Sequence, residues 1–168
     1  KPYLPKLLSK MISSIYGFFE TYIVKHIDGV VVPCPMVKGK RKLFEGSAKH
    51  VAYVNNVPCL DEIEFGRTMG EKERAVCYSG SLTEGRGVTN VVKAASLADV
   101  KLYLAGSFIS EEYGEKLRSM PEWKCVEYLG YIDRKEIYEM YSRSRIGMST
   151  LLPVGQYDKT SNLSTKAY

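Results

Sequence analysis

The stretch that decides the fold is residues 75–88, which read AVCYSGSLTEGRGV. Four apolar residues, Ala75 to Tyr78, precede nine residues that hold three glycines and one arginine, and an apolar helical pattern begins at Val88. A buried strand that turns through glycines into a helix is the first half of a βα unit. The stretch therefore predicts an α/β fold with a parallel sheet.

The same pattern continues along the chain. Further strands are predicted at 101–105, 126–129 and 146–149. Helices are predicted at 88–95, 111–120 and 134–142. Strands that alternate with helices of this length indicate crossover connections and parallel pairing. Because these strands are almost wholly apolar, we expect helices to cover both faces of the sheet.

The first third of the chain follows another pattern. Apolar residues from Leu4 to Ile23 recur every three or four positions, which predicts a long amphipathic helix. We interpret it as an ordinary domain helix whose polar side is exposed to solvent, although such a helix could also rest on a bilayer surface. Short strands are expected at 29–33 and 51–54.

The polar and acidic residues 59–73 have little apolar periodicity and contain two glycines, which is typical of a linker. We therefore predict a partial N-terminal domain at 1–58 and a partial C-terminal domain at 74–168. The chain starts at Lys1 and shows no signal sequence, so we interpret it as a piece of a longer protein.

Composition and charge limit the possible classes. With 45% hydrophobic and 26% charged residues the chain is neither disordered nor fibrous. Residues 1–50 hold nine Lys/Arg against three Asp/Glu, a net charge of +6, whereas residues 51–168 hold fifteen against sixteen, which gives the total of +5. This asymmetry indicates either an anionic partner, such as acidic lipid or nucleic acid, or a solvated basic face. The longest run without a charged residue, 146–157, is too short to span a bilayer.

The four cysteines are far apart in the sequence and form no C-x-x-C pair. This spacing is typical of reduced thiols in a cytosolic protein, and it argues against a disulfide framework or a zinc site.

In an open parallel sheet, ligands bind beyond the carboxyl ends of the strands. The residues that follow the predicted strands are Gly80, Ser81 and Arg86, then Gly106 and Ser107, then Gly130, Tyr131 and Ile132, and finally 149–153 with Asn162, Ser164 and Lys166. Glycines after the first strand would let phosphate oxygens approach bare peptide N–H groups, and a guanidinium would bind them from the side. The motifs G-x-G-x-x-G, G-x-x-x-x-G-K-[ST] and G-x-S-x-G are absent, which disfavours a dehydrogenase, an NTPase and a hydrolase.

Several of these segments together carry a family likeness. Residues 78–88, 102–106, 126–133 and 136–141 closely resemble the second Rossmann-like domain of retaining GT-B glycosyltransferases of the group 1, or family 4, type. Residues 28–33 and 51–57 resemble the end of the first domain of those enzymes. In order and spacing the resemblance covers nearly the whole chain.

The resemblance implies a set of site residues and leaves the catalytic group unidentified. The donor diphosphate would be held by Gly80, Ser81, Arg86 and Lys166. The nucleobase and sugar would lie near Gly106, Ser107, Tyr131, Ile132, Asn162, Leu163 and Ser164. The family carries two glutamates separated by seven residues; Ser161 occupies the first of these positions, and the second falls past Tyr168. No cofactor and no obligatory metal are implied, because Arg86, Lys166 and helix N-termini would stabilise the leaving group.

The resemblance further implies transfer of a sugar from a nucleotide-sugar donor to a glycan or lipid-linked acceptor with retention, in bacterial cell-surface polysaccharide biosynthesis. We expect a cytoplasmic protein whose basic residues 1–50 lie on the anionic inner face of the membrane, and no nucleic-acid partner. The 168 residues by themselves are not expected to transfer sugar, since the resemblance implies missing parts of both domains. Two alternatives remain open, a GT-B epimerase acting on a UDP-sugar and a non-catalytic nucleotide-binding module. The residues do not specify the donor base, the sugar, the acceptor or the oligomeric state.

Overall fold

The computed structural model describes residues 5–32, 46–54, 57 and 71–153. They form two compact units, with the described residues up to Val54 in the first and those from Val57 onward in the second. Most of the predicted linker, and all of Ser161, Asn162, Leu163, Ser164 and Lys166, lie outside the described residues.

The first unit contains a helix and a pair of parallel strands. Its elements are α1 (Lys6–His26), β1 (Val30–Val32) and β2 (Val51–Tyr53). The strands pair in register from Val30 with Val51 to Val32 with Tyr53. The two strands predicted here are thus confirmed, each slightly shorter than expected.

Helix α1 has its apolar side exposed, which the sequence interpretation did not foresee. Its large apolar residues are between 42% and 74% exposed, whereas Val24 is buried and Gly17, Glu20 and Thr21 are half-buried. The polar side is exposed to solvent, as the interpretation as an ordinary domain helix predicts, but the apolar side is exposed as well. Periodicity shows that a helix has two different sides, but only the packing decides which side is covered.

The second unit is a parallel sheet with helices between its strands. Its elements are β3 (Glu73–Ser79), α2 (Val88–Leu97), β4 (Lys101–Ala105), α3 (Glu111–Arg118), β5 (Val126–Gly130), α4 (Arg134–Arg143) and β6 (Ser144–Gly147). Among the described residues the strand order is β5-β4-β3-β6, with every neighbouring pair parallel. This is Rossmann-like topology, in which the second and third strands extend to one side of the first and the fourth lies on the other. The predicted α/β class is confirmed.

Alternation along the strands builds a core on each face of the sheet. Val76 and Tyr78 of β3 pack with the buried residues of α2 and α3, while Ala75 and Cys77 pack with Met140 of α4. Strands β3 and β4 therefore each contribute to two apolar layers, as their almost wholly apolar sequences predict.

Strand β6 differs from the prediction in position and in burial. It spans Ser144–Gly147 instead of 146–149, because its start is set by pairing of Ser144 with Glu73 and not by the apolar residues that mark it in the sequence. Ile146 is 57% exposed. In the described part of the sheet Arg145, Ile146 and Gly147 are exposed, so the expectation that helices cover both faces of this strand is wrong.

Candidate functional site

A cavity of about 310 Å³ lies at the carboxyl ends of β3 and β4, which we call the rim cavity. Its lining residues are Ser79, Gly80, Ser81, Ala105, Gly106, Ser107, Ile109, Tyr131, Ile132 and Ile137. Ligand pockets in proteins commonly start at about this volume. Ligands of open parallel sheets bind at this position, beyond the carboxyl ends of the strands.

Glycines that follow neighbouring strands make the floor of the rim cavity. Gly80 and Gly106 adopt φ values of 130° and 133°, and a Cβ at Gly106 would stand 1.9 Å from the carbonyl oxygen of Gly80. The backbones of the two turns therefore touch where no side chain fits. The Gly80 amide donates to the carbonyl of Ala105 at 3.0 Å, and the Gly106 amide donates to the carbonyl of Gly130 at 2.7 Å.

Two hydrogen bonds made by side chains brace this floor. The Tyr128 hydroxyl of β5 donates to the carbonyl of Gly106 at 2.9 Å. On the other side, the hydroxyls of Ser79 and Tyr141 share a hydrogen bond that joins the end of β3 to α4. Helix α4 begins with a capping box between Asp133 and Glu136, two bonds of 2.8 Å each, which fixes the chain just after the cavity.

Burial of two titratable side chains makes the stability of the second unit depend on pH. It raises the pKa of the Tyr141 hydroxyl above its ordinary value of 10.0, against the opposing effect of the Ser79 hydrogen bond, and it raises the pKa of the Cys77 thiol above 9.0. In both cases the folded protein holds the proton more tightly than the unfolded chain. The stabilisation that comes from this tighter proton binding is complete when the pH is below the ordinary pKa values. It is lost as the pH rises through the pKa values of the folded protein.

We therefore expect the free energy of unfolding to be steady near pH 7.5 and to fall above about pH 9. Tyr141→Phe should lower stability at pH 7.5 by about 1 kcal/mol, through loss of the Ser79 bond, and should make the alkaline decline shallower. Urea unfolding at pH 7.5 and pH 10.5 measures both effects. Parallel declines for the variant and the parent would contradict the assignment to Tyr141.

The structure brings together six of the predicted site residues, Gly80, Ser81, Gly106, Ser107, Tyr131 and Ile132, on one cavity. Arg86 is not among the residues that line it. Arg86 ends a short 3-10 helix, Glu84–Arg86, and its carbonyl accepts a 3.0 Å hydrogen bond from the Thr150 hydroxyl. The loop that carries Arg86 is thus tied to the segment after β6.

Backbone amides of the glycine-rich turn, which were expected to be bare, donate hydrogen bonds within the protein. The N–H groups of Gly80, Leu82 and Gly87 donate to the carbonyls of Ala105, Ser107 and Glu84 respectively. The interlocked turns satisfy their own backbone groups, as buried backbone generally must. The expectation that these amides are bare and available to phosphate is therefore wrong for these three residues.

Sequence reasoning missed four lining residues, Ser79, Ala105, Ile109 and Ile137. Ile109 carried a signal that could have been used, since it lies in the same short loop after the predicted strand 101–105 as Gly106 and Ser107. Ile137 lies in the first turn of α4, beyond the strand ends from which the site residues were predicted.

Of the described residues that line the rim cavity, none carries a side-chain charge at neutral pH, so the cavity suits a neutral group that is partly apolar.

A second cavity of about 420 Å³ lies between the loop after β3 and helix α3. It is the larger of the two, and Ile109 lines both. Glu84 and Glu112 border it, and Lys116 pairs with Glu84 at 3.3 Å. Its carboxylates disfavour an anionic ligand, so we take the rim cavity as the candidate site despite its smaller volume.

The described residues contain neither a cluster of metal ligands nor a helix that could span a membrane. No group of three or more His, Cys, Asp or Glu side chains is placed to hold a metal ion there. The expectation that no metal is required stays a prediction. Cys77 and Cys125 are free thiols, while Cys34 and Cys59 lie outside the described residues. Of the described helices, none combines the length and hydropathy that crossing a bilayer requires.

No protein-family model and no curated protein matches this chain. Eleven chains of solved structures do match it. One of these is the crystal structure of AviGT4, a glycosyltransferase involved in avilamycin A biosynthesis, with a TM-score of 0.48 and 18% sequence identity. The match covers 54% of this chain and 26% of AviGT4, so it spans about a quarter of that protein's length. The fold described above rests on strand order and register, not on this likeness.

Proposed function

We propose that the rim cavity binds the nucleoside part of a nucleotide-sugar, and that the protein is a glycosyltransferase. The proposal rests on one observation. The glycine turns after neighbouring parallel strands interlock, and they leave the rim cavity, whose described lining residues carry no charge, at the carboxyl ends of the strands. The motif resemblance of residues 78–88 and 126–133 supports the same conclusion.

The lining offers chemistry for a base and a ribose. Tyr131 is 85% exposed and presents a ring on which a base can stack, and Ile132 and Ile137 add apolar surface beside it. The exposed side chains of Ser81 and Ser107 can hydrogen-bond to ribose hydroxyls. A neutral nucleoside therefore matches the cavity better than a charged group does.

In this proposal the diphosphate extends from the cavity along the loop from Ser81 to Arg86. Since the described lining carries no cation, the positive charge comes from beyond it, and Arg86 and Lys166 are the residues proposed to supply it. A guanidinium binds phosphate oxygens through two parallel hydrogen bonds, which makes Arg86 suited to this role. Leaving-group charge is then stabilised without an obligatory metal.

Finer features of the proposal rest on the sequence resemblance alone. They are retention at the anomeric carbon, a glycan or lipid-linked acceptor, and a place in bacterial cell-surface polysaccharide biosynthesis on the cytoplasmic side of the membrane. Assays of the protein for transferred sugar, for free epimerised sugar and for nucleotide binding without turnover separate this proposal from an epimerase and from a non-catalytic module.

Introducing opposite charges at position 81 tests the site directly. Ser81→Arg should tighten binding of a nucleoside diphosphate about tenfold and Ser81→Glu should weaken it about tenfold, since a charged hydrogen bond contributes roughly 1.5–3 kcal/mol. Ser81 is exposed, so neither change should affect folding. Calorimetric titration with UDP, GDP, ADP and dTDP measures the affinities, and a response to one base identifies the donor class.

Ala94→Arg and Ala94→Glu are the matched controls, because Ala94 is exposed on α2 beyond its first turn and does not line the rim cavity. Equal effects at positions 81 and 94 would mean that only the overall charge matters. Absence of binding by all four nucleotides to the parent chain and to Ser81→Arg would overturn the proposal.

A further inference from the structure

Thr150 holds the loop that carries Arg86 from outside that loop. It lies just after β6, is half-buried, and donates its hydroxyl hydrogen bond to the carbonyl of Arg86 at 3.0 Å. Two residues further on, the amide of Leu152 donates to the carbonyl of Gly85 at 3.1 Å. Two successive carbonyls of the loop are therefore bound by the segment 150–152.

The segment 150–152 is itself fixed to the sheet. The amide of Met148 donates to the carbonyl of Cys77 at 2.7 Å, which continues the pairing of β6 with β3 beyond the end of β6. Strand β3 is also the strand from which the glycine-rich turn leaves. Since the chain on both sides of the bond between Thr150 and Arg86 is anchored to β3, the sheet sets the position of each partner.

The peptide groups on either side of Arg86 are held at all four of their polar atoms. In the preceding peptide the carbonyl accepts from Leu152, and the N–H donates to the carbonyl of Thr83 at 3.2 Å. In the following peptide the carbonyl accepts from Thr150, and the N–H donates to the carbonyl of Glu84 at 2.9 Å. Because peptide groups are planar, these bonds together fix the direction in which the Cα–Cβ bond of Arg86 leaves the backbone.

Gly87 makes room for Thr150 beside the loop. It is buried with a φ of 71°, and a Cβ there would stand 3.2 Å from the hydroxyl oxygen of Thr150 and 3.3 Å from its Cβ. A side chain at position 87 would press on Thr150 and strain the backbone as well. The glycine and the threonine therefore form one packed contact.

We propose that Thr150 is a positioning residue, which orients Arg86 for binding the diphosphate of the nucleotide. This inference rests on the proposed function, in which Arg86 binds the diphosphate. The 3-10 helix Glu84–Arg86 has only three residues, and such short helices have weak hydrogen-bond geometry of their own. Bonds from Thr150 and Leu152 order the loop before the ligand arrives, which lowers the entropy cost of binding.

Thr150→Val tests the inference, because it removes the hydroxyl and keeps the size of the side chain. We expect the affinity for a nucleoside diphosphate to fall about fivefold and the affinity for the nucleoside of the same base to stay unchanged. Titration of the 168-residue chain with UDP, GDP, ADP and dTDP, and with the four matching nucleosides, measures both. Thr150→Ser keeps the hydroxyl and should bind like the parent.

Hydrogen exchange of the ligand-free chain provides a second readout that needs no nucleotide. The amides of Gly87 and Leu152 should exchange about fivefold faster in Thr150→Val than in the parent, since loss of the hydroxyl bond loosens both sides of the contact. Thr21→Val is the matched control. Its hydroxyl is also half-buried and donates to a backbone carbonyl, that of Gly17 at 2.7 Å, but it belongs to the first unit and should change neither readout.

The outcomes separate this inference from the proposed function. Undiminished diphosphate affinity in Thr150→Val would overturn the positioning role and leave the nucleotide site standing. Equal losses of diphosphate and nucleoside affinity would also overturn it, because they would show a general disturbance of the site. If the parent bound none of the four diphosphates, the proposed function and the positioning role would both be overturned, and the exchange rates would report only how Thr150 orders the loop.

Discussion

Gly106→Ala is expected to cost the second unit on the order of 4 kcal/mol or more, which is a large part of the stability of a domain of this size. The added Cβ would stand 1.9 Å from the backbone oxygen of Gly80, and φ at Gly106 is 133°. A shift of Gly80 would disturb the bond from its amide to Ala105, and a shift of Gly106 would disturb the bond from its amide to Gly130. Urea unfolding measures the loss.

Two other glycines provide a graded control for this prediction. A Cβ at Gly147 or Gly130 meets nothing within 4 Å, and only Gly130 has a positive φ, at 69°. Gly147→Ala should therefore change stability by less than about 0.5 kcal/mol, and Gly130→Ala should cost about 1–2 kcal/mol. If Gly106→Ala were no worse than Gly130→Ala, the close approach of the two turns would be wrong.

Leu82→Ala is expected to destabilise the second unit by about 3 kcal/mol. The Leu82 side chain is fully buried, with 0% exposure, and packs in the core cluster that contains Tyr78 and Leu104. Its amide donates to the carbonyl of Ser107 at 3.0 Å. Loss of the side chain leaves a cavity directly under the loop that carries Ser81, so nucleotide affinity should also fall.

Leu97→Ala is the comparison, because Leu97 is 91% exposed and its loss should change stability by less than about 0.5 kcal/mol. Thermal unfolding reports the stabilities, and nucleotide titration well below the melting temperature reports the affinities. A destabilised Leu82→Ala protein with undiminished affinity would show that the backbone bonds alone hold the loop in place.

Much of the second unit could be predicted from local pattern. The apolar run at 75–78 and the glycines after it are enough to indicate strand, turn and helix, and the observed β3 and α2 follow them closely. Gly80 and Gly106 were found for the same reason, since glycine directly after a buried strand is a local signal. The position of β6 was missed because its start depends on pairing with Glu73, a residue far away in the sequence.

The candidate site was predictable only in part. The turns after β3, β4 and β5 were identified from strand ends, but Ile137 enters the cavity from α4, and no strand-end rule points to it. The amides of Gly80 and Leu82 were expected to be bare, yet neighbouring turns accept their hydrogen bonds. A residue's own neighbours in sequence do not reveal which distant carbonyl lies within 3 Å of it.

By itself the sequence determined the α/β class, the order of strands and helices in the second unit and the glycine turns at its rim, because periodicity and turn chemistry depend on residues a few positions apart. Only the tertiary structure decided that Gly106 lies against Gly80, that an uncharged hollow forms above them, and that α1 turns its apolar side outward. These features depend on contacts between residues distant in the chain, where packing and hydrogen-bond satisfaction decide the outcome.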